Sequence, residues 1–307
     1  ERFDAKPGSI ETLFIGGGTP STIAPELYAP LFELLTPYLK KDAEMTSEAK
    51  TNSASRGWLA GMKALGINRI SFVVQSFDAA KLKALNRAHS PKEAIEAIET
   101  AHSLGFGHLS LDLIYNFRGD TGSLLLSDID QAFMLPIDHI SAYELTIEAK
   151  TAFTKDPKAR QESETLARFV AKLIQERGFT QYEISNFGNY QSRHNQGYWK
   201  LENYIGAGAG AVGFLGNKRY YPQTDIDAFI AKPLKISEEK LTKSNLLTEK
   251  IFLGLRSTIG VKRALLSSDE QMRADYLVKK KKLFFDGFGY QNPDFFLADE
   301  IALYLLK

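Results

Sequence analysis

The sequence predicts an α/β protein wound in parallel, and three observations carry that reading. Short apolar runs recur at residues 13–15, 43–49, 69–74, 108–115 and 140–147, each followed by a stretch with helical spacing or a helix-start signal. No turn pair joins two of these runs as a hairpin, so successive strands need crossover helices and lie parallel. Polar residues close several of the runs, as they do where a parallel sheet or barrel gathers a site at the C-terminal ends of its strands.

The first run, Leu13-Phe14-Ile15, ends in Gly16-Gly17-Gly18-Thr19-Pro20. Glycines there permit positive φ and let a ligand lie against the backbone, although a tight strand-to-helix turn has the same requirement. A helix is expected over 25–39. The second strand, 43–49, places Glu48 at its end, and Ser53-Ala54-Ser55 offers a cap for a helix whose Trp58, Leu59, Met62 and Leu65 share one face before Gly66 stops it. The third strand runs into Gln75-Ser76-Phe77. Asp78 caps a short helix to residue 85, and Ser90-Pro91-x-Glu93 forms a capping box that opens a helix ending at Gly105. Strand 108–115 is apolar except at Asp112 and its polar start. A helix over 124–134 leads to the fifth strand.

Beyond residue 150 the rhythm changes. A helix is expected over 163–177, followed by QYEISNF, SRHNQGYW and ENYIGAGAGAVGF, which are rich in aromatics, glycine and asparagine. Residues 231–242 read as a linker. Helices near 246–256 and 269–283, then a hairpin and a final helix, are compatible with a winged helix. The expected domains are therefore 1–160, 161–230 and 240–307.

The chain has 307 residues, 44% hydrophobic and 24% charged, with a net charge of +1. That balance gives no global field for nucleic acid, and the Lys279–Lys282 run reads as a solvated helix end without a second basic cluster to form a groove. No apolar stretch has the length of a membrane span, and ERFDAKPGS does not resemble a signal peptide, so a cytoplasmic location is expected. The absence of cysteine excludes disulfides and thiolate metal sites within these residues.

Glu48, Gln75 and Asp112 close three strands, and Arg87 follows the third by one short helix. Two carboxylates, an amide and a guanidinium beside a glycine loop suit a ligand with ribose hydroxyls, an ammonium and a carboxylate. Gly208-x-Gly210-x-x-Gly213 matches a dinucleotide fingerprint, but it runs into FLGNKRYYPQ rather than a long helix, and a Rossmann site is rejected. Small residues there serve close backbone packing or approach to a ligand. His194, with Asn195, Tyr198 and Trp199, has two open readings: a packed polar group, or a contact to haem iron or a tetrapyrrole. His89, His102, His108 and His139 show no metal-ligand spacing.

In that order, FIGGGTPS, the Glu48 strand end, INRISFVVQSF with Asn86-Arg87, LSLDLIY and HISAYELTIE resemble the radical S-adenosylmethionine (SAM) proteins related to oxygen-independent coproporphyrinogen III oxidase (HemN). YEISNF, RHNQGYW and YIGAGAGAVGF are most similar to the haem chaperones of HemW type, whose HNxxYW signature falls on His194–Trp199. The resemblance covers nearly the whole chain. It implies a partial parallel (β/α)6 radical-SAM barrel with a small C-terminal winged-helix-like domain. It also implies SAM contacts at Gly17, Gly18, Thr19, Glu48, Gln75, Arg87 and Asp112, with Thr146 and Val212 as weaker candidates, and a [4Fe–4S] cluster. The function implied is haem binding and delivery to an accepting protein, with tentative haem contacts at His194, Tyr198 and Trp199. The alternative is oxidative decarboxylation of porphyrinogen propionates. Family members carry C-x3-C-x2-C ahead of the glycine loop. This chain starts too close to Gly16 to contain it, so the first barrel strand and cluster loop are expected to be missing, through disorder rather than truncation. Lys50-Thr51 replaces the usual Asn-Pro, Val74 a frequent Gly, and IYNFRGDT the usual IYGLPGQT, which bears on substrate geometry more than on SAM.

Overall fold

A computed structural model describes residues 5–147 and 152–307. The first four residues of the N-terminal run and Glu148, which ends HISAYELTIE, lie outside them. Strand β1 (Ile10–Ile15) delivers its end onto the glycine loop. The helix expected over 25–39 is instead a 3-10 turn, Pro25–Leu27, then α1 (Ala29–Leu35) and a second 3-10 turn, Thr36–Tyr38. Prolines at 30 and 37 explain the fragmentation. Each lacks an N–H, and Pro37 arrives where an α-helix would need one. Strand β2 (Leu39–Lys50) follows at once and is longer than the apolar run that announced it.

Then α2 (Arg56–Ala64), β3 (Arg69–Gln75), α3 (Ala79–Ala84), α4 (Pro91–Ser103), β4 (His108–Tyr115), α5 (Gly122–Phe133) and β5 (His139–Glu144) alternate as expected. Their caps match the sequence signals. The Ser55 side chain accepts the Trp58 N–H, Asp78 accepts that of Lys81, and Ser90 with Glu93 closes a full capping box. After α6 (Glu164–Glu176) come β6 (Thr180–Gln181) and β7 (Asn186–Gly188).

Sheet order is β1-β2-β3-β4-β5-β7-β6, with the first five strands parallel. The sixth layer departs from a parallel (β/α)6 winding, because β7 pairs antiparallel to both β5 and β6. Only Tyr182–Ser185 separates β6 from β7. Four residues can turn a hairpin but cannot carry a crossover. The sheet stays open, and β1, paired only with β2 among the described residues, forms its edge.

The two faces of the sheet differ in chemistry because side chains alternate along each strand. One face carries Ile70, Phe72 and Val74 on β3, Leu109, Leu111 and Leu113 on β4, and Ile140 and Ala142 on β5, all buried. Trp58, Leu59 and Met62 of α2, Ala94 and Ile98 of α4, and Leu125 and Ile129 of α5 are buried with them. Each of the larger aliphatic and phenylalanine side chains among them contributes about 1.5–3 kcal/mol relative to exposure. The other face is polar. Register aligns Glu48 with Ser71, Ser71 with Ser110 and Ser110 with His139, and in the next row Asp112 with Ser141. A polar row inside an open parallel sheet is the platform for a site.

The chain divides into two compact units, 1–194 and 195–307, so the stretch expected as one segment over 161–230 is shared between them. Helix α7 (Arg193–Trp199) spans the division. The second unit holds β8 (Gly213–Leu215), β9 (Lys218–Pro222), α8 (Ile226–Ala231) and β10 (Ile236–Lys240). The linker expected over 231–242 thus contains a strand. Its polar run was unrecognisable as one, but it pairs antiparallel with β9 through Lys218–Glu238 at 2.9 Å and Tyr221 OH to Glu239 at 2.7 Å. The rejected glycine motif is a loop that runs into β8: a Cβ at Gly213 would lie 3.1 Å from the Gly206 nitrogen, and one at Gly206, just ahead of the motif, 2.2 Å from the Ala211 carbonyl oxygen, so close backbone approach is what the small residues serve there. Last come α9 (Lys243–Leu255), β11 (Val261–Lys262), α10 (Ser268–Lys279), β12 (Phe284–Phe285), β13 (Gly289–Gln291) and α11 (Ala298–Leu305). The three strands form the sheet β11-β13-β12 over a core that includes Ile251, Leu255, Leu277, Tyr290 and Ile301. In the lysine run, Lys282 pairs with Glu300 and Lys280 lies over the Tyr276 ring.

Candidate functional site

The C-terminal ends of β1 to β5 bring the strand-end residues together. The Gly17 N–H donates to the Glu48 carboxylate. Gly17 and Gly18 both have positive φ, 73° and 56°, and a Cβ at either would meet nothing within 4 Å. At Gly16 a Cβ would come 2.5 Å from the Phe14 ring and 3.2 Å from the Glu48 carboxyl carbon. The loop is therefore closed underneath and open above, as a backbone cradle for a ligand must be.

Gln75 is buried and holds φ 74°, a left-handed conformation uncommon for a residue with a side chain. Its Oε1 accepts from Arg87 Nη2 at 2.9 Å, and its Nε2 donates to the Tyr143 hydroxyl at 3.1 Å. Arg87 Nε is buried with no partner among the described residues. An unpartnered guanidinium nitrogen beside the rim is a donor in want of an acceptor. Asp112 faces the same group. Burial first, and then the Glu48 charge, push its carboxyl up to about 7, against the opposing pull of Arg69, Ser141 and Arg87. Burial also raises Glu48. Near neutral pH the Asp112 carboxyl is available in its uncharged, hydrogen-bond-donating form.

Thr19 precedes a 3-10 turn, Pro20–Thr22, and its carbonyl accepts from the Thr22 hydroxyl at 2.7 Å. Thr146 is exposed just past β5. Val212 lies in the second unit, directly before β8. Sequence reasoning missed Tyr143 and Ser141. The alternation in HISAYE, which puts both on the face of Asp112, was the signal available.

A clamp lies behind the rim. Lys81 Nζ, wholly buried, sits 2.8 Å from Asp120 and 3.9 Å from Asp128 and donates to the Ile114 carbonyl. Asp128 in turn accepts from the Ser76 hydroxyl and the Phe77 N–H. The three charges tie α3, α5 and the turn after β4 to the two residues that follow Gln75.

The floor of the polar face is a hydrogen-bonded network around His139. The Ser110 hydroxyl and Arg69 both meet His139 Nδ1, at 2.6 and 3.4 Å. Arginine can only donate, so Nδ1 accepts and Nε2 carries the proton to the Tyr182 oxygen at 2.7 Å. Complete burial, helped by Arg69, holds the imidazole well below its usual pKa. His194 sits toward the β1 edge. Its Nδ1 lies 2.8 Å from the Thr12 hydroxyl, its ring stacks on Phe14 at 5.0 Å, and its backbone N–H donates to the buried Glu44 carboxylate at 3.0 Å. Burial lowers its pKa, which keeps the ring neutral. Tyr198, one turn on, is exposed and packs edge-on against Tyr204, while Trp199 Nε1 is buried without a partner among the described residues.

The radical SAM superfamily model matches residues 1–131. The chain is 34% identical over 280 residues to the heme chaperone HemW of Bacillus subtilis, covering 84% of this chain and 73% of that protein. It is 32% identical over 295 residues to the heme chaperone HemW of Mycobacterium tuberculosis, covering 91% and 76%. Among solved structures, coproporphyrinogen III oxidase (HemN) from Escherichia coli, a radical SAM enzyme, superposes with a TM-score of 0.79 at 17% identity, covering 96% of this chain and 77% of that one. At that identity the likeness speaks for the fold alone.

Proposed function

This chain belongs to the HemW-type haem chaperone family within the radical SAM superfamily, and from that premise we propose that the C-terminal rim of its parallel strands binds SAM while the protein binds haem and delivers it to an accepting protein. The observation that carries the SAM part is the meeting of Glu48, Gln75, Arg87 and Asp112 beside an open glycine loop. In this reading Gly17, Gly18 and Thr19 line the ligand's backbone cradle, Arg87 takes its carboxylate, and Glu48 and Asp112 take its hydroxyls. Thr146, just past β5, is a further contact.

The family also implies a [4Fe–4S] cluster. The 307 residues include no cysteine, and among the described residues no three His, Asp or Glu side chains converge as metal ligands. The residues present do not fit a cluster.

For haem, we assign the contact to α7. His194 and Tyr198 are four residues apart and so share one helix face, with Trp199 beside them. Burial favours the neutral imidazole of His194, and a neutral ring is the form that ligates iron. No helix among the described residues is long and apolar enough to cross a membrane. A cytoplasmic location is part of the proposal.

Equilibrium binding of SAM to the 307-residue protein tests the site. Wild type should bind saturably, and Arg87→Ala should weaken binding about tenfold or more, the loss of a charge-assisted hydrogen bond. Absence of saturable binding, or an unchanged Arg87→Ala affinity, would contradict the assignment.

A further inference from the structure

The hydrogen bonds at Gln75 run one way. Arg87 Nη2 donates to Gln75 Oε1 at 2.9 Å, and Gln75 Nε2 donates to the Tyr143 hydroxyl at 3.1 Å. A guanidinium carries only donors, so the amide oxygen must face Arg87 and the amide nitrogen must face Tyr143. The phenol oxygen is thereby an acceptor, and its own proton is left over. Among the described residues nothing takes that proton, because Tyr143 makes no other hydrogen bond. Burial first, and then the Asp112 charge, hold the phenol above its ordinary pKa, so the proton stays on the oxygen. At the other end, the Arg87 guanidinium makes no further hydrogen bond and no ion pair among the described residues.

Three features hold this chain of donors in place. The left-handed φ of Gln75, 74°, sets the direction in which its side chain leaves β3. The Arg87 backbone N–H closes onto the Leu82 carbonyl of α3 at 2.9 Å. The Tyr143 ring packs against the cluster of Leu85, Ile114, Phe117, Leu145 and Ala159. Arg87 and Tyr143 are both only half-buried, so a ligand on the rim can reach them. Donors in series polarise one another, and the Arg87 charge strengthens the phenol as a donor at the far end. We propose that Tyr143 is a ligand-binding residue of the rim and Gln75 its positioning residue: the amide aims the phenol O–H at the same acceptor that Arg87 serves, a carboxylate. A carboxylate accepts from two sides and has no proton of its own to place, whereas an ammonium between these two donors would find no acceptor. That the carboxylate belongs to SAM rests on the reading of the site given above.

The test is equilibrium binding of two probes to the 307-residue protein: SAM, and decarboxylated SAM, which lacks only the carboxylate. Tyr143→Phe keeps the ring in its apolar cluster. It should weaken SAM about tenfold or more, the loss of a hydrogen bond to a charged group, and leave decarboxylated SAM unchanged. A loss shared by both probes would mark a structural role or a different ligand group and overturn the proposal, as would an unchanged SAM affinity. Gln75→Glu tests the positioning. Its carboxylate accepts from both neighbours and draws the phenol proton away from the ligand, so in that background Tyr143→Phe should cost SAM nothing further. An additive loss would show that Gln75 does not aim the phenol and would contradict the proposal. Wild type that binds SAM without saturation would end the SAM reading and this proposal with it. SAM binding that Arg87→Ala weakens and Tyr143→Phe does not would overturn the proposal alone.

Discussion

Lys81→Met should destabilise the first unit by about 3–5 kcal/mol, the usual loss when one partner of a buried ion cluster is removed. The side chains of Lys81, Asp120 and Asp128 are each less than 5% exposed, so solvent does not screen the two carboxylates left facing one another. Burial already raises the Asp128 pKa, and without the ammonium it gains a stronger reason to take up a proton. The loss should therefore shrink as pH falls through the carboxylate range. Asp128 anchors Ser76 and Phe77, so the left-handed Gln75 should loosen and SAM affinity fall as well. Denaturant unfolding at pH 7.5, followed by circular dichroism, checks the first effect. A cost below about 1 kcal/mol would mean that the cluster is not the clamp described, since even an exposed pair reaches that value.

Asp112→Asn should reverse its effect on stability with pH. The Asp112 carboxyl is raised from 3.8 to about 7, so the folded protein holds this proton more tightly than the unfolded chain does. Stability from this group is complete below about pH 4 and is lost as pH rises to about 7, above which the penalty is constant. Asparagine does not titrate. Relative to wild type, the variant should gain up to about 4 kcal/mol between pH 4 and pH 8, at about 1.4 kcal/mol per pH unit of difference. Paired urea titrations at the two pH values give the comparison, and a difference that stays flat would show that Asp112 ionises freely at the rim.

The parallel part of the fold was legible because its signals are local. Ser55, Asp78 and Ser90 cap where hydroxyl and carboxylate spacing said they would, and β4 occupies the very run that its apolar residues mark. What failed was non-local. Nothing in Ile236–Lys240 is apolar enough to announce a strand, and its pairing depends on β9 and on side-chain partners brought up by the fold. The turn from β7 back to β6 reverses the sheet through four residues whose glutamate and tyrosine gave no turn signal. At the site, the strand ends identified Glu48, Gln75 and Asp112, but their electrostatics come from residues on other strands. Ser141, Tyr143 and Arg69 become neighbours only through register, and no spacing within one segment reveals that.

A hemin titration of the 307-residue protein read through the Soret band, followed by transfer to an apo-globin acceptor, tests haem carriage by this chain. A saturable band is expected, with haem passing to the acceptor on mixing, and His194→Ala should weaken or shift the band as a ligating imidazole is lost. A titration without a saturable band, or haem that stays bound in the presence of excess acceptor, would contradict haem delivery by this chain.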